Sequence, residues 1–592
     1  MTWFRFRNYL RKPHNVMLIA LIAVMIIFIL IPVIAIIART CVVESSDLRF
    51  LADKAVGDFT TYHWWRVVAS PLAKVLFYQP FLNSLYVGFG VVLLALPLGS
   101  FLAWLVTRTD IPFRRAFSLL LVLPYLFPSW VMGLSWLTVF KNARIGGAPG
   151  FLQAIGVSPP DWLSYGPLPI ILALTLHYYP YAFLIVSAAL SSIDSRLEET
   201  ASILGANRLG VLRKVTFPLV IPALGSAFIL IFTKAIGTFA TPAFLGLPVR
   251  FHTLATRIYS SIQTRAEGSG YVLSLFLVLV SGIAIYLNTK VLGTRKGYVT
   301  IAGQGSRTRL TKLRRLRLPV AALVSLFILL STALPVTLLG LQTLTEHGDF
   351  NILELSLRTW IGDPNSPVKG WETGGILRSP HILGGAWNSV KLAVTSAVIC
   401  GILGLLVGYA VVKKRGSFLS KSLESLTFVP YIIPGLVFAG IYLSMFSRPL
   451  GPIPGLYGTF AILVIVTVAK YVPFASRTGI SSMLQIDQSL EEASYIHGAS
   501  WIKRFRKIVI PLARSGLMAG MLLVFINAMR ALSLIILLVT PKTRTLTSMT
   551  FRYVELNQPH YANAIALLIV VITLAVYFLA SIVGKAKIDR LA

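Results

Sequence analysis

The chain has 592 residues, of which 56% are hydrophobic and only 13% are charged, and its mean hydropathy is +0.77. This composition excludes an ordinary soluble protein and predicts a polytopic protein of the lipid bilayer, because apolar runs near the ~20 residues that cross a membrane recur throughout. The net charge of +33 does not indicate a nucleic-acid partner, since the basic residues gather in short segments between apolar runs.

The first half of the chain predicts six transmembrane helices. The first apolar run follows a basic N-terminus, but it is too long for the apolar core of a signal peptide and lacks a small-x-small cleavage site. It is therefore interpreted as a retained helix with its N-terminus inside. The predicted spans of this half lie near residues 17–37, 81–106, 117–140, 169–190, 223–245 and 269–291.

The second half repeats this plan, so the predicted fold class is all-α, with about twelve transmembrane helices in two parallel six-helix repeats. Helices are the expected spanning element because unpaired backbone groups in hydrocarbon cost several kcal/mol each. The predicted domains are a first half at 1–295, a basic linker at 296–317 and a second half at 318–592. The spans of the second half lie near residues 318–341, 386–412, 422–446, 457–481, 514–540 and 561–584.

The distribution of Lys and Arg predicts the orientation. The joint between the halves, residues 292–317, contains basic residues and no acidic one, as expected for a cytoplasmic loop. Six spans per half is an even number, so both halves enter the membrane from the same side. The sequence therefore predicts a multi-pass protein of the cytoplasmic (inner) membrane with both termini in the cytoplasm.

A segment between spans occurs twice, at 198–218 and 491–511, and we call the two copies the first and second handles. The second copy lies 293 residues after the first (492 − 199 = 293). A central Gly allows a sharp turn between two short helices, and a Pro is tolerated in the first turn of the helix that follows. The anchor residues are Glu199, Ala201, Gly205 and Pro218 in the first handle, and Glu492, Ala493, Gly498 and Pro511 in the second.

Other motifs recur between the halves. Asn83-Ser84 returns as Asn388-Ser389, a displacement of 305 residues (388 − 83 = 305). A Pro-Tyr-x-x-Pro motif begins at Pro124 and again at Pro430. Parallel repeats of this kind imply a pseudo-two-fold axis along the membrane normal, with a pathway between the halves.

The handle sequence resembles the EAA loop of permeases in binding-protein-dependent ABC importers. The fused layout with two loops resembles the ferric-iron permease type, whose relatives serve thiamine, phosphonate and sugar phosphates. The resemblance implies that the handles dock two copies of an ABC ATPase, and that a soluble binding protein meets the outer segments at about 38–80 and 342–385. An interfacial aromatic belt is the alternative for the tryptophans of those segments.

The chain itself is expected to be neither an enzyme nor the holder of a cofactor or structural metal. It contains no Gly-x4-Gly-Lys-(Ser/Thr) phosphate loop, so ATP and Mg²⁺ are expected on the partner ATPase. A secondary transporter driven by an ion gradient remains an alternative from another class, because it too shows internal repeats and charges in its spans. That class has no need of paired docking segments.

Ionisable residues inside apolar spans predict the translocation pathway, because they are costly in a membrane. Lys234 and Arg530 both follow a handle, and at the 293-residue displacement Lys234 corresponds to Asn527. His177 lies in a Tyr-rich stretch and is the fourth candidate, although packing at a helix bend is the simpler interpretation. Pairing with a neighbouring helix is likewise the alternative for Lys234 and Arg530.

Basic residues outside the membrane predict the nature of the cargo. They follow the spans that bear Lys234 and Arg530, and they run against the inside bias of the other basic residues. We expect an outer mouth that favours an anion, or a metal carried with an anion. The resemblance favours ferric iron, and a small anionic or organic solute is the alternative. The residues of this predicted mouth are Arg250, Arg257, Lys542 and Arg544.

Overall fold

The described part of the chain is helical and contains only isolated β-bridges. The computed structural model describes residues 13–293, 310–345, 348, 350, 354–362, 375–447, 449 and 454–584. Within these ranges, ten helices are long and apolar enough to cross a membrane, and two bent helix pairs bring the candidate spans to twelve. The prediction of an all-α fold with about twelve transmembrane helices is confirmed.

The first half of the chain contains five long helices, one bent pair and several shorter helices among its described residues, and ten of these helices are labelled here. In chain order they are α1 (Pro13–Arg39), α2 (Lys74–Arg108), α3 (Arg114–Tyr125), α4 (Ser129–Phe140), α5 (Pro167–Ser192), α6 (Ser195–Ile203), α7 (Leu209–Ile236), α8 (Ala240–Val249), α9 (Leu254–Gln263) and α10 (Glu267–Gly293).

The second half repeats this order, so that each helix from α11 to α20 corresponds to the helix ten numbers before it. The repeat is visible in the bounds of the handle helices, which are displaced by the same 293 residues as the anchors. The helices are α11 (Arg314–Gln342), α12 (Pro380–Lys413), α13 (Phe418–Ile432), α14 (Gly435–Phe446), α15 (Phe460–Leu484), α16 (Gln488–Ile496), α17 (Trp501–Met529), α18 (Leu532–Ile535), α19 (Leu546–Glu555) and α20 (Pro559–Gly584).

The repeated Pro-Tyr-x-x-Pro motifs bend the spans that contain them. The axes of α3 and α4 differ by 91° and those of α13 and α14 by 106°. Pro128 and Pro434 precede the second helix of each pair, and the residue before each of them is extended, as the proline ring requires. The spans predicted at 117–140 and 422–446 are therefore bent pairs rather than single helices.

Two predicted spans end earlier than expected. The sequence predicted helices to residues 245 and 540, whereas α7 ends at Ile236 and α17 ends at Met529. The chain then breaks at Gly237 and Arg530, which occupy corresponding positions in the two halves. Hydropathy alone missed both breaks, because the residues that follow are also apolar and continue as α8 and α18.

Both handles lie on the same side of the helix bundle. The chain at Thr311 pairs with Arg108, at the handle end of α2, through a 2.8 Å backbone hydrogen bond. From there α11 crosses to Gln342, which contacts residues at the opposite end of the bundle. Helix α12 returns to Lys413, which pairs with Glu491 beside the second handle. We call the two ends the handle side and the distal side.

On the distal side, the repeated Asn-Ser motifs hold the amphipathic helices α9 and α19. The hydroxyls of Ser84 and Ser389 accept hydrogen bonds of 2.8 Å from the first amides of α9 and α19. The Asn83 and Asn388 amides donate to backbone carbonyls just before those helices, at 2.8 and 3.0 Å. The motifs therefore satisfy helix ends and carbonyls that would otherwise be unpaired.

The first helix of each half packs on the other half. Helix α1 lies against α13 and α14, and the Tyr442 hydroxyl donates to the Phe28 carbonyl. Helix α11 lies against α4, and the rings of Tyr179 and Phe327 are 5.4 Å apart. The predicted domain boundaries remain a prediction, and residues 296–309 of the predicted linker lie outside the described residues.

Glycines allow the closest helix contacts inside each half. A Cβ built on Gly404 of α12 would lie 2.4 Å from the backbone of Ala475 in α15. At the corresponding place in the first half, a Cβ on Gly99 would lie 2.4 Å from the Tyr179 carbonyl oxygen. Both distances are far below van der Waals contact, so no other residue fits without moving the helices apart.

Gly404→Val is therefore expected to destabilise the chain by about 3 kcal/mol, because overpacking forces α12 away from α15. Thermal unfolding of the purified chain in detergent measures the effect. Gly384→Val is the matched control, since Gly384 lies on the same helix with nothing within 4 Å of its Cβ position. Equal unfolding temperatures for the two variants would contradict the close contact.

Candidate functional site

Each handle folds as a helix, a tight turn and a second helix. Helices α6 and α16 begin after Asp194 and Asp487, whose carboxylates accept hydrogen bonds of 3.0 and 2.9 Å from amides in the first turn. They end before Gly205 and Gly498, which have φ values of +88° and +74°. Nothing lies within 4 Å of either Cβ position, so the left-handed backbone, not space, requires glycine.

The other anchors lie where the handle turns and where it joins its span. The Ala201 carbonyl accepts a 3.0 Å bond that closes the turn, and the carbonyl of its counterpart Ser494 accepts one of 3.1 Å. The Ala493 carbonyl, one residue earlier, accepts a 3.2 Å bond from the His497 amide. Just before Pro218 and Pro511, one turn with π-helical hydrogen bonds leads into the α-helical part of each span. Each handle is thus continuous with α7 or α17.

Sequence reasoning chose Glu199 and Glu492, but the carboxylates that tie the handles to the bundle are their neighbours. In the first handle, Glu198 lies 3.5 Å from the Arg108 guanidinium and accepts a 2.9 Å bond from Thr216. Glu199 is half-buried, and Glu492 is exposed and accepts a 2.7 Å bond from Gln488 of its own helix.

Arg108 is the centre of the first contact between a handle and the bundle. Its side chain is only 3% exposed. It donates to the carbonyls of Leu190 and Ile193 at 2.7 and 3.2 Å, and so joins the ends of α2 and α5 to the Glu198 carboxylate of α6. A guanidinium has enough donors for all three partners.

The second handle has the corresponding contact with different residues. Lys413 lies 3.0 Å from Glu491, which also accepts a 3.0 Å hydrogen bond from the Tyr409 hydroxyl. The sequence contained a signal for both contacts, because an acidic and a basic residue each recur in the second half. Glu491 follows Glu198 by 293 residues, and Lys413 follows Arg108 by 305 residues.

The tips of the handles expose apolar side chains. Ile203 is 85% exposed and Ile496 is 82% exposed, at corresponding positions next to the turns. Leu209 and Ile502, which also correspond, are 70% and 69% exposed. Large apolar side chains that protrude together from a polar surface mark a site of protein association.

A cavity of about 250 Å³ lies between the two halves at the bends of the broken spans. The predicted pathway residues Lys234, Asn527 and Arg530 line this cavity. His177 lines it as well. The structure therefore brings together all four residues that the sequence nominated for the pathway, although their role in transport stays a prediction.

A fifth polar residue of the cavity, Lys470, was missed. Lys470 lies 293 residues after His177, the same displacement that relates the two handles. Both side chains line the cavity and contact equivalent backbone carbonyls. His177 Nδ1 lies 3.0 Å from the Pro124 carbonyl, and Lys470 Nζ donates to the Pro430 carbonyl at 2.6 Å. Each side chain thus satisfies a carbonyl freed by the bend of a Pro-Tyr-x-x-Pro span, which supports the packing interpretation of His177.

The other two cations of the cavity differ in their partners. Arg530 donates to the Tyr125 carbonyl at 2.8 Å and to Asn527 Oδ1 at 2.9 Å. The Lys234 ammonium lies 4.7 Å from the centre of the Tyr431 ring and makes no hydrogen bond or ion pair with a described residue. Of the three cavity cations, Lys234 is thus the one whose ammonium has no hydrogen-bond acceptor among the described residues.

An aromatic cluster connects the two halves on the distal side. Phe239 follows the cavity residues of the first half, and its ring centre lies 4.8 Å from that of Tyr259 and 5.6 Å from that of Phe551. Phe244 lies 5.6 Å from Phe551. Because Phe551 belongs to α19 of the second half, the cluster joins the two halves beyond the cavity.

The four basic residues predicted for an outer mouth lie on the distal side, but no contact within the described part of the chain brings them together. Arg250 and Lys542 are exposed, and Arg257 is half-buried. Burial, and then the nearby Arg66, lowers the pKa of Arg257. Arg544 donates a 2.5 Å hydrogen bond to the His381 ring. The outer mouth therefore remains a prediction, because the described structure shows basic residues on this surface but no binding site formed by them.

The segment at 38–80 is an ordered part of the distal surface. Asp47 accepts hydrogen bonds from the Glu44 amide at 2.8 Å and lies 3.3 Å from His63 Nε2. Burial acts to raise the pKa of Asp47, but the bonds from His63 and Glu44 outweigh it, and the pKa lies below its usual value. Of the other predicted docking segment, residues 363–374 lie outside the described residues.

The fold and the site define a polytopic all-α membrane permease with two repeated halves around a shared cavity. The sequence profile described as "Binding-protein-dependent transport system inner membrane component" matches residues 95–298 and again residues 401–589. The chain belongs to this family, with one copy in each half. It is therefore a multi-pass inner-membrane permease of a binding-protein-dependent ABC importer.

Known relatives resemble the chain over most of its length. The ferric transport system permease protein FbpB of Actinobacillus pleuropneumoniae is 29% identical, over 86% of this chain and 72% of that protein. The putative ferric transport system permease protein FbpB 1 of Haemophilus influenzae is 30% identical, over 78% and 70%. A solved bacterial ABC transporter for the acidic polysaccharide alginate contains a chain with 15% identity and a TM-score of 0.38, covering 46% of this chain and 96% of that one.

Proposed function

We propose that this permease carries ferric iron into the cell, driven by ATP hydrolysis in separate subunits. The choice of iron draws on the two long relatives, both named as ferric transport system permeases. ATP and Mg²⁺ are assigned to partner ATPases because the sequence contains no phosphate-binding loop of the Gly-x4-Gly-Lys-(Ser/Thr) type. This chain then supplies the conduit.

The observation that carries the proposal is the presence of two matching handles on one side of the bundle. Each exposes an isoleucine beside a glycine turn, which suits a helix that enters an apolar groove of a partner. One ATPase subunit per handle gives two in the assembly. Each handle is continuous with a span of nearly 30 residues, about 40 Å long, that ends at the cavity. Movement of a docked ATPase is thus passed to the cavity.

The handle side faces the cytoplasm in this proposal, together with both termini of the chain. The distal side meets the substrate-binding protein, and the ordered segment at 38–80 contributes to that surface. The aromatic cluster around Phe551 acts as the barrier between the binding protein and the cavity. Separation of the halves at this cluster opens the path for the cargo.

A small anionic solute is a second candidate, because of the charges in the cavity. Lys234, Lys470 and Arg530 all line it, and its described lining includes no acidic residue. Phosphonates and sugar phosphates are anions that such a cavity would attract. Iron and a small anion therefore need to be compared directly.

Transport assays distinguish these candidates. We expect proteoliposomes that contain this chain, its ATPase and its binding protein to accumulate ⁵⁵Fe only when ATP is supplied on the handle side and the binding protein on the other, and vanadate to stop uptake. Accumulation of a labelled phosphonate or sugar phosphate instead of iron would establish the second candidate. Uptake without ATP that follows a proton or sodium gradient would contradict both and indicate a secondary transporter.

A further inference from the structure

The described lining of the cavity between the halves contains no carboxylate or thiolate that could hold a bare metal ion. Among the described residues, no group of three or more His, Cys, Asp or Glu side chains could hold a metal. A trivalent cation entering the cavity would meet two ammonium groups and a guanidinium instead. Because like charges repel strongly where water is scarce, the cavity disfavours free ferric iron.

The backbone contributes helix ends of both signs to the wall of the cavity. Helices α4 and α14 each contain 12 residues, and both begin at its wall. Pro128, Ser129 and Trp130 of one bend, and Pro434 and Gly435 of the other, line the space. Because the C-termini of α7 and α17 also end at the cavity, the partial charges of the helix ends oppose one another, and the three basic side chains supply its positive charge.

We infer that this cavity binds the oxygen atoms of an oxyanion, and that ferric iron passes through it as a complex whose oxyanion ligands give it a net negative charge. The volume of about 250 Å³ is many times what one water molecule needs, which leaves room for a small complex. The identity of the metal rests on the proposed function, whereas the preference for oxyanions rests on the cavity.

Lys234 allows the cleanest test of the inference. Arg530 and Lys470 also hold backbone carbonyls of the bent spans, so their replacement would disturb the fold. The Lys234 ammonium donates no hydrogen bond to a described residue, so its donors can bind a ligand. Lys234→Gln removes its charge with little change of size, and Lys234→Arg retains the charge. Lys391→Gln is the control, because Lys391 is an exposed cation on α12 outside the cavity.

The experiment measures binding of [³²P]phosphate and of ⁵⁵Fe-pyrophosphate to the full chain with its ATPase subunits in nanodiscs. We expect both labels to be retained, and Lys234→Gln to weaken retention about tenfold or more, because a hydrogen bond to a charged group is lost. Lys234→Arg and Lys391→Gln should bind as the unaltered chain does. Equal retention by Lys234→Gln, or no retention of either label by the unaltered chain, would overturn the inference.

Comparison of the two labels separates this inference from the proposed function. Tighter retention of ferric pyrophosphate than of phosphate supports an iron complex as the occupant. If phosphate is retained and depends on Lys234 while no iron is transported, the oxyanion site stands and ferric iron is excluded as the cargo. If iron is transported and Lys234→Gln changes neither binding nor uptake, iron stands as the cargo and the oxyanion site is wrong.

Discussion

Replacing Ile203 and Ile496 together by aspartate is expected to release the ATPase subunits and to abolish ATP-dependent uptake. Both side chains are more than four-fifths exposed, so their replacement leaves the fold of the chain intact. Burial of each isoleucine in a partner is worth about 1.5–3 kcal/mol, and the pair therefore accounts for at least about 100-fold in affinity. Co-purification of the ATPase with the chain measures the loss.

The matched control is Val56→Asp, which places a charge at an exposed apolar residue on the distal side. It should leave ATPase co-purification unchanged. Each single variant, Ile203→Asp or Ile496→Asp, should still retain ATPase, but less firmly than the unaltered chain, because one intact handle still docks. Full retention of ATPase by the double variant would show that the handles are not the docking surface.

Replacing Arg108 by methionine is expected to cause the largest loss of stability among changes near the handles, about 3 kcal/mol. The change leaves the Leu190 and Ile193 carbonyls and the Glu198 carboxylate without their shared donor. Breaking a buried charged contact costs several kcal/mol, because the remaining partner stays desolvated. Thermal unfolding in detergent measures this effect, and ATP-dependent uptake shows whether the handle still transmits motion.

Lys413→Met provides the comparison in the other half. Lys413 is 20% exposed, against 3% for Arg108, and among the described residues it pairs with Glu491 but makes no carbonyl contacts like those of Arg108. It should therefore cost less than Arg108→Met. Exchange of the charges in Lys413→Glu with Glu491→Lys should recover part of the loss, since the attraction is restored. A smaller effect of Arg108→Met than of Lys413→Met would contradict the assigned roles.

Much of the architecture could be predicted because the two halves constrain each other. Handle anchors displaced by one constant number revealed the duplication, and the constant number also identified Asn527 as the counterpart of Lys234. The lengths of the apolar runs predicted the number of spans. These signals depend on local composition and on spacing, which a sequence displays directly.

The remaining features depend on three-dimensional contacts. Hydropathy could not reveal the bends at Pro128 and Pro434, because the residues on both sides are apolar. Lys470 was overlooked although it is an ionisable residue inside the predicted span at 457–481, and only its contact with the Pro430 carbonyl required the structure. The handle contacts were missed because Glu198 and Arg108 are 90 positions apart in the chain.

The two halves have the same fold but differ in the cavity. At three positions of the cavity, corresponding residues of the two halves are different. The pairs are His177 and Lys470, Lys234 and Asn527, and Gly237 and Arg530. The Cβ position of Gly237 lies 3.2 Å from Pro434 of the other half, so a larger residue there would disturb the contact. Because the two halves are different segments of one chain, their residues can differ, which they could not in a dimer of identical subunits. The cavity therefore presents an asymmetric set of charges to its cargo.

Cysteine cross-linking tests the central claim most directly. Cys41 and Cys400 are first replaced by serine, and Ile203→Cys or Ile496→Cys is introduced in the chain assembled with its ATPase. The account predicts that both positions react with a maleimide only from the cytoplasmic side, and that both cross-link to the ATPase. Labelling of the two positions from opposite sides of the membrane, or cross-links to the ATPase from neither, would contradict it.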